Sequence, residues 1–320
     1  MRRREFLAAA AATITSPAVA RAQAAWPDKT VKVVVPYAAG GGSDAVARPW
    51  CEELSKAFGQ QFVVENRGGA SGMIGVEAMV KSPPDGTTLL MTPNAPLTVL
   101  PHLRKTPYNP TKDLLPIGHT GDIVCGFVIH PSVGVKTWKE FIEYAKKNPG
   151  KLSYASSGNG TANHLRLEAL KLKAGLDILH VPYRGGADAI NDVLPGNVHM
   201  MNEPITLAHA KAGKLILLAI NGPKRNPDFP DVPTMTEVGM PGADVPIWLG
   251  FYGPVGIAPE IVTKMNAKMR ELAQAPDFQK RIWGAGALMI PMTPEVMSKY
   301  LQDDSDNNLA FIKAANIKIE

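Results

Sequence analysis

The stretch VKVVVPYAAGGGSDAVA, Val31–Ala47, decides the fold. Four valines in five residues read as a buried strand. Three consecutive glycines then make a turn through which backbone can approach a ligand closely, and Ser43 or Asp44 can cap the helix that starts there. A strand, a glycine-rich turn and a helix N-terminus together offer unpaired backbone N–H groups to an anion. Gly40-Gly41-Gly42-Ser43-Asp44-Ala45 also satisfies the dinucleotide pattern G-x-G-x-x-A, with Glu65 near the place of a ribose-binding acid. Two readings stay open on this turn: a receptor for a small anion, or an exported dinucleotide-dependent oxidoreductase.

Outward from the turn, Val46, Trp50, Leu54 and Phe58 recur every four residues on one helix face, and Pro49 is expected to kink that helix. QFVVEN follows as a strand, GMIGVEAMVKS as a helix and TTLLMT as a strand. The alternation predicts an α/β architecture with largely parallel sheets. Thr137 and Glu140 form a capping box before a helix that stops at NPG.

The plan then repeats in KLSYASSGNGTANHLRLEALKLKAG: strand, turn, helix. The turn Ser156-Ser157-Gly158-Asn159-Gly160-Thr161 supplies hydroxyls and N–H groups at a second helix start, so a carboxylate held between the two turns needs no lysine or arginine. His164 either reaches that ligand or is satisfied locally. The alternative for both turns is that they only cap their helices. Further strands lie in ILHVPY, VHMMN and LILLAI, with helices over 187–194 and up to KAGK. IWLGFYGPVGIAPE is a long crossing segment, and the chain ends in helices with Ile261, Met265, Met269 and Leu272 in register and Thr293-Pro294-Glu295 opening the last. Crossings near 122–130 and 247–255 make a hinge between a first lobe of 25–125 with 249–320 and a second lobe of 126–248.

Residues 1–24 read as an export signal: Arg2-Arg3-Arg4-Glu5-Phe6-Leu7, an alanine-rich run, and small-x-small sites at Ala18–Ala20 and Ala22–Ala24. The order is twin-arginine-like, with a plain secretory signal as the alternative. Its loss removes four arginines and one glutamate and takes the net charge from +5 to about +2. No basic stripe remains for nucleic acid. Cys51 and Cys125 read as buried free thiols rather than a disulfide. There is no G-x-S-x-G, H-E-x-x-H or C-x-x-C, and the seven histidines have no ligand spacing, so neither catalytic residues, metal nor cofactor is expected. Asp44 at a helix start suits a cap better than a general base.

In WPDKTVKVVVPYAAGGGSD, VVENRGGASGMIGVEAM, PDGTTLLM, YASSGNGTANHL, HVPYRGGADAI, AHAKAGKL, PDVPTMTEVGMPG and FYGPVGIAPE, the chain resembles the periplasmic solute-binding receptors of the tripartite tricarboxylate transporter family, also called Bug receptors. The resemblance implies a two-lobed clamshell that binds a small organic carboxylate, di- or tricarboxylate or aromatic, and delivers it to a membrane permease. It implies a periplasmic monomer without cofactor; a sensor subunit for a signalling receptor would look the same. It places Tyr37, Ala38, Gly41, Gly42, Ser43 and Asp44 on one side of the ligand, and Ser156, Ser157, Gly158, Gly160, Thr161 and His164 on the other. Asn94, Tyr183, Arg184, Gly185 and Asn202 complete the implied pocket. Many members read M-F-D-N-L-P where this chain has Met200-Met201-Asn202-Glu203-Pro204. With Met201 at the aspartate position, the implied ligand is an apolar or aromatic carboxylate rather than one with an amino group; the alternative is that Met201 only packs in the core.

Overall fold

The computed structural model describes residues 26–222, 224–240, 247–314 and 317. The expected export signal lies outside them. The first run of elements is β1 (Val31–Val35), α1 (Gly42–Phe58), β2 (Phe62–Asn66), α2 (Met73–Val80), β3 (Thr88–Pro93), three short helices α3 (Ala95–Thr98), α4 (Leu100–Leu103) and α5 (Pro110–Asp113), and β4 (Leu114–Ile123). A single residue, Val124, leads to β5 (Cys125–Ile129). Then come α6 (Trp138–Lys147), β6 (Leu152–Ser156), α7 (Ala162–Ala174), β7 (Ile178–Pro182), α8 (Gly186–Val193), β8 (Met200–Met201), α9 (Ile205–Lys211) and β9 (Ile216–Asn221). The chain returns as β10 (Trp248–Pro254), α10 (Pro259–Leu272), α11 (Pro276–Gly284), β11 (Ala287–Leu288) and α12 (Pro294–Ala314).

Two sheets result, in the orders β11-β4-β10-β3-β1-β2 and β7-β6-β8-β5-β9. Both are mixed and flanked by helices, a two-lobed α/β fold. The parallel share is smaller than the sequence suggests. β1 runs parallel to β2 and β3, and β6 to β7 and β8, whereas β10 is antiparallel to β3 and β4, and β5 to β8 and β9. A strand arriving from the other lobe enters at the cleft end, where its neighbours finish, so it must run against them. β4 is the strand that sequence periodicity misses: Pro116, Gly118 and Gly121 break its alternation. Gly118 lets α10 pack closely, since a Cβ there would stand 2.9 Å from the Met269 methyl.

α1 buries Val46, Ala47, Trp50, Cys51 and Leu54 against the first sheet, and Trp50 Nε1 donates to the Thr120 carbonyl at 3.2 Å. Burial of Trp50 or Leu54 contributes about 1.5–3 kcal/mol each. Pro49, where a kink is expected, does not end the helix, and α1 runs on to Phe58. The missing N–H falls opposite the Ala45 carbonyl, and Ala45 is exposed, so water can replace the lost bond. Cys51 and Cys125 form no disulfide and both are buried, and burial pushes the Cys51 thiol up to about 12. The capping box at Thr137 and Glu140 forms as read.

Candidate functional site

The N-termini of α1 and α7 converge on the cleft between the sheets. Asp44 does not face it. Its carboxylate accepts from the Gly40 N–H at 2.8 Å, from Arg48 Nε and Nη2 at 2.8 and 2.9 Å, and from Asn66 Nδ2 at 3.0 Å. Burial pushes the carboxyl up, but the bonds from Arg48, Gly40 and Asn66 together hold it below the ordinary carboxylate range. Asp44 therefore shapes the glycine turn as a permanent anion. α1 has no side-chain cap at Gly41, so its first-turn N–H groups remain for other partners.

On the second lobe the hydroxyls expected to meet a ligand are already engaged by protein groups. Ser156 Oγ bonds His180 Nε2 at 2.6 Å and accepts from the Gly158 N–H at 3.1 Å. Thr161 Oγ1 donates to the Gly158 carbonyl at 2.8 Å and accepts from the His164 N–H. His164 Nδ1 accepts from the Gly160 N–H, and its ring stacks on His180 with centroids 4.1 Å apart. Burial pulls His164 down to about 4 and His180 to about 3. His164 is thus satisfied locally as a neutral ring.

Between the two ends lies a cavity of about 50 Å3. Of the residues chosen from the sequence, Tyr37, Gly41, Gly42, Ser43, Ser157 and Thr161 line it. The others stand outside that lining. Ser156, Gly158, Gly160 and His164 hold the turn. Ala38 packs against Gly185 across the cleft, so closely that a Cβ on Gly185 would stand 3.2 Å from Ala38 Cβ. Asn94 sits between the lining residues Pro93 and Ala95, with its amide donating to Asp304 of α12 at 2.8 Å. Tyr183 donates to Asp192 at 2.7 Å, and Arg184 is exposed. Asn202 Oδ1 accepts from Arg166 Nη1 at 2.7 Å beneath the site. The lobes also meet directly, for Ser71 Oγ donates to the Asn159 carbonyl at 2.7 Å.

A family model described as a tripartite tricarboxylate transporter family receptor matches residues 46–317. This chain belongs to that family. Protein BugT of Bordetella pertussis is 32% identical over 299 residues, 92% of each chain. Among solved structures, the periplasmic binding protein BugD is 33% identical with a TM-score of 0.87, covering 92% of this chain and 100% of its own. An R. palustris protein solved with adipate is 30% identical with a TM-score of 0.88, covering 92% and 99%. The family and the fold are those of solute-binding receptors rather than enzymes. Glu65, the acid of the dinucleotide alternative, instead pairs with Arg67 and Lys32 at the end of β2.

In this receptor, sequence reasoning missed the two polar lining residues Asn163 and Glu203. Glu203 Oε1 accepts from both Ser157 Oγ and Asn163 Nδ2. Burial pushes its carboxyl up, opposed by the bond from Ser157, the charge of Arg166 and the bond from Asn163. Of the two readings of Met201, core packing is the one found. Met201 lies in β8 and packs into the second sheet's core with Val128 and Ala155, while the acid two residues later enters the cavity. The available signal was a glutamate directly before Pro204 at a helix start.

Proposed function

We propose that this protein is a periplasmic receptor that captures a small organic carboxylate between its lobes and delivers it to the membrane permease of a tripartite tricarboxylate-type transporter. The observation that carries the reading is the interlobe cavity, with the uncapped N-terminus of α1 on one wall and Ser157 and Asn163 on the other. The adipate-bound relative supports the ligand class. In this reading Tyr37 and Gly41 to Ser43 line the ligand's space from the first lobe, residues 25–125 with 249–320, and Ser157, Thr161 and Asn163 from the second, residues 126–248. Backbone dipoles replace the carboxylate's hydration, closure removes the rest of the ligand from water, and opening releases it. Export with loss of residues 1–24 and function as a monomer belong to the same proposal.

Thermal shift against mono-, di- and tricarboxylates, aromatic acids, amino acids and dinucleotides tests it. A ligand at about a hundred times its Kd adds roughly 2.7 kcal/mol. A shift from one class of carboxylic acids is the expected result. Silence from all acids beside a shift from a dinucleotide overturns the proposal.

A further inference from the structure

The groups that could hold an anion in the cavity already converge on a carboxylate of the protein itself. Glu203 follows β8 in the second lobe and is 7% exposed. Its Oε1 accepts from Ser157 Oγ and Asn163 Nδ2. Its Oε2 lies against the first residues of two helices, since a Cβ on Gly42 of α1 or on Gly186 of α8 would stand 3.3 Å from it. Neither helix has a side-chain cap, so both turn the positive ends of their dipoles toward it. Arg166, buried in the second lobe, adds its positive charge. Gly42 belongs to the first lobe, and the charge of Glu203 also reaches Tyr37 there. The carboxylate is thus a contact between the lobes, standing where the receptor reading puts the carboxylate of a ligand.

The cavity beside it measures about 50 Å3. At roughly 10–15 Å3 for each water-sized group, that is too little for a diacid or an aromatic acid while Glu203 stays in place. A ligand carboxylate at the start of α1 would also face a like charge and find Ser157 and Asn163 already taken. We propose that Glu203 is a built-in competitor of the ligand: its carboxylate bridges the lobes in place of a ligand's, and an incoming acid binds by displacing it. Burial penalises the charge of Glu203, so its release into water offsets part of the bonds that it gives up. The lobes then close on either of two anions, internal or external, and the ligand shifts the population only by binding better than Glu203 does. This rests on the receptor reading above and adds to it a control on closure.

The test sets the wild type beside Glu203→Ala, which removes the competitor, and takes two readings. Small-angle scattering gives the radius of gyration without acid, and calorimetric titration gives the affinity for acetate, succinate, adipate and benzoate. Glu203→Ala is expected to be more expanded than the wild type and to contract when an acid is added. It should bind at least one of the four acids about tenfold or more tightly than the wild type does, because apparent affinity scales with the fraction of molecules whose cavity is free. Glu203→Gln keeps the shape without the charge and should move both readings the same way by less, which keeps the test usable if melting curves show that Glu203→Ala does not fold. If a folded variant is as compact as the wild type, or binds the acids no more tightly, the inference fails, and binding of an acid by the wild type leaves the carboxylate-receptor reading standing. If no acid binds the wild type or the variants, both fail together.

Discussion

Ser71 in the first lobe donates its hydroxyl to the Asn159 carbonyl in the second at 2.7 Å, so a side chain of one lobe holds the main chain of the other. Ser71 adopts φ 56°, a left-handed conformation that glycine takes without strain. Ser71→Gly therefore removes the bond without backbone conflict. Ligand affinity is expected to fall about threefold to tenfold, equivalent to roughly 0.5–1.5 kcal/mol, through loss of the closed form. Titration of the variant with whichever acid shifts the wild type checks this; an unchanged Kd would mean that the bond does not bias closure.

Gly42 opens α1 where the lobes meet, and a Cβ there would lie 3.2 Å from the Pro204 ring and 3.3 Å from Glu203 Oε2. Gly42→Val should hold the lobes apart. Binding is expected to weaken by about tenfold or more, near 1.4 kcal/mol, while the melting temperature of the ligand-free protein changes little. Small-angle scattering should then find no contraction on adding ligand.

Thr161→Val removes a hydroxyl that caps α7 and ties down the Gly158 carbonyl. Loss of such a cap costs about 0.5–2 kcal/mol, so the melting temperature should drop by roughly 2–4 °C per kcal/mol lost. Affinity should change much less than stability, because the hydroxyl is engaged within its own turn. A collapse of affinity with intact stability would assign the hydroxyl to the ligand instead.

Burial holds His164 at about 4 and His180 at about 3 in the fold, against 6.5 for a free ring. Below pH 6.5 the unfolded chain takes up protons that the folded rings refuse. Their contribution is complete above pH 6.5 and declines as pH falls toward about 4, on the order of 1 kcal/mol per pH unit for His164. Glu203, raised in the fold, acts in the opposite sense. Denaturant melts between pH 7 and 5 in a Glu203→Gln background should show the decline, and adding His164→Asn should reduce its slope.

Much of the fold was legible because its signals are local. The valine run of β1, the Thr137–Glu140 box and the strand-turn-helix plan at residues 151–175 each depend on neighbours in sequence. β4 was not legible, because its glycines answer to Met269 and to strand pairing far along the chain. At the site, glycine turns announced the two helix ends, but hydroxyls expected to meet a ligand are held by His180, Glu203 and the turn's own backbone. Whether Ser156 faces His180 or a cavity is decided by β7, which no spacing within the turn encodes. Glu203 was not legible for a related reason: Met201 holds the position that the resemblance marks, whereas the chain leaving β8 puts the acid two residues later into the cavity.

The place of β10 between β3 and β4 has a consequence for the order of assembly. Without residues 248–254 the first sheet is two unjoined pieces, β2-β1-β3 and β4, although every one of those strands precedes residue 124. The second sheet needs nothing beyond Asn221. During synthesis the middle of the chain can complete its lobe while the earlier residues wait for the later ones, since long-range pairing forms last. A chain truncated before Trp248 should leave one finished half and one set of exposed strand edges, so that the N-terminal residues, first made, are among the last to become native.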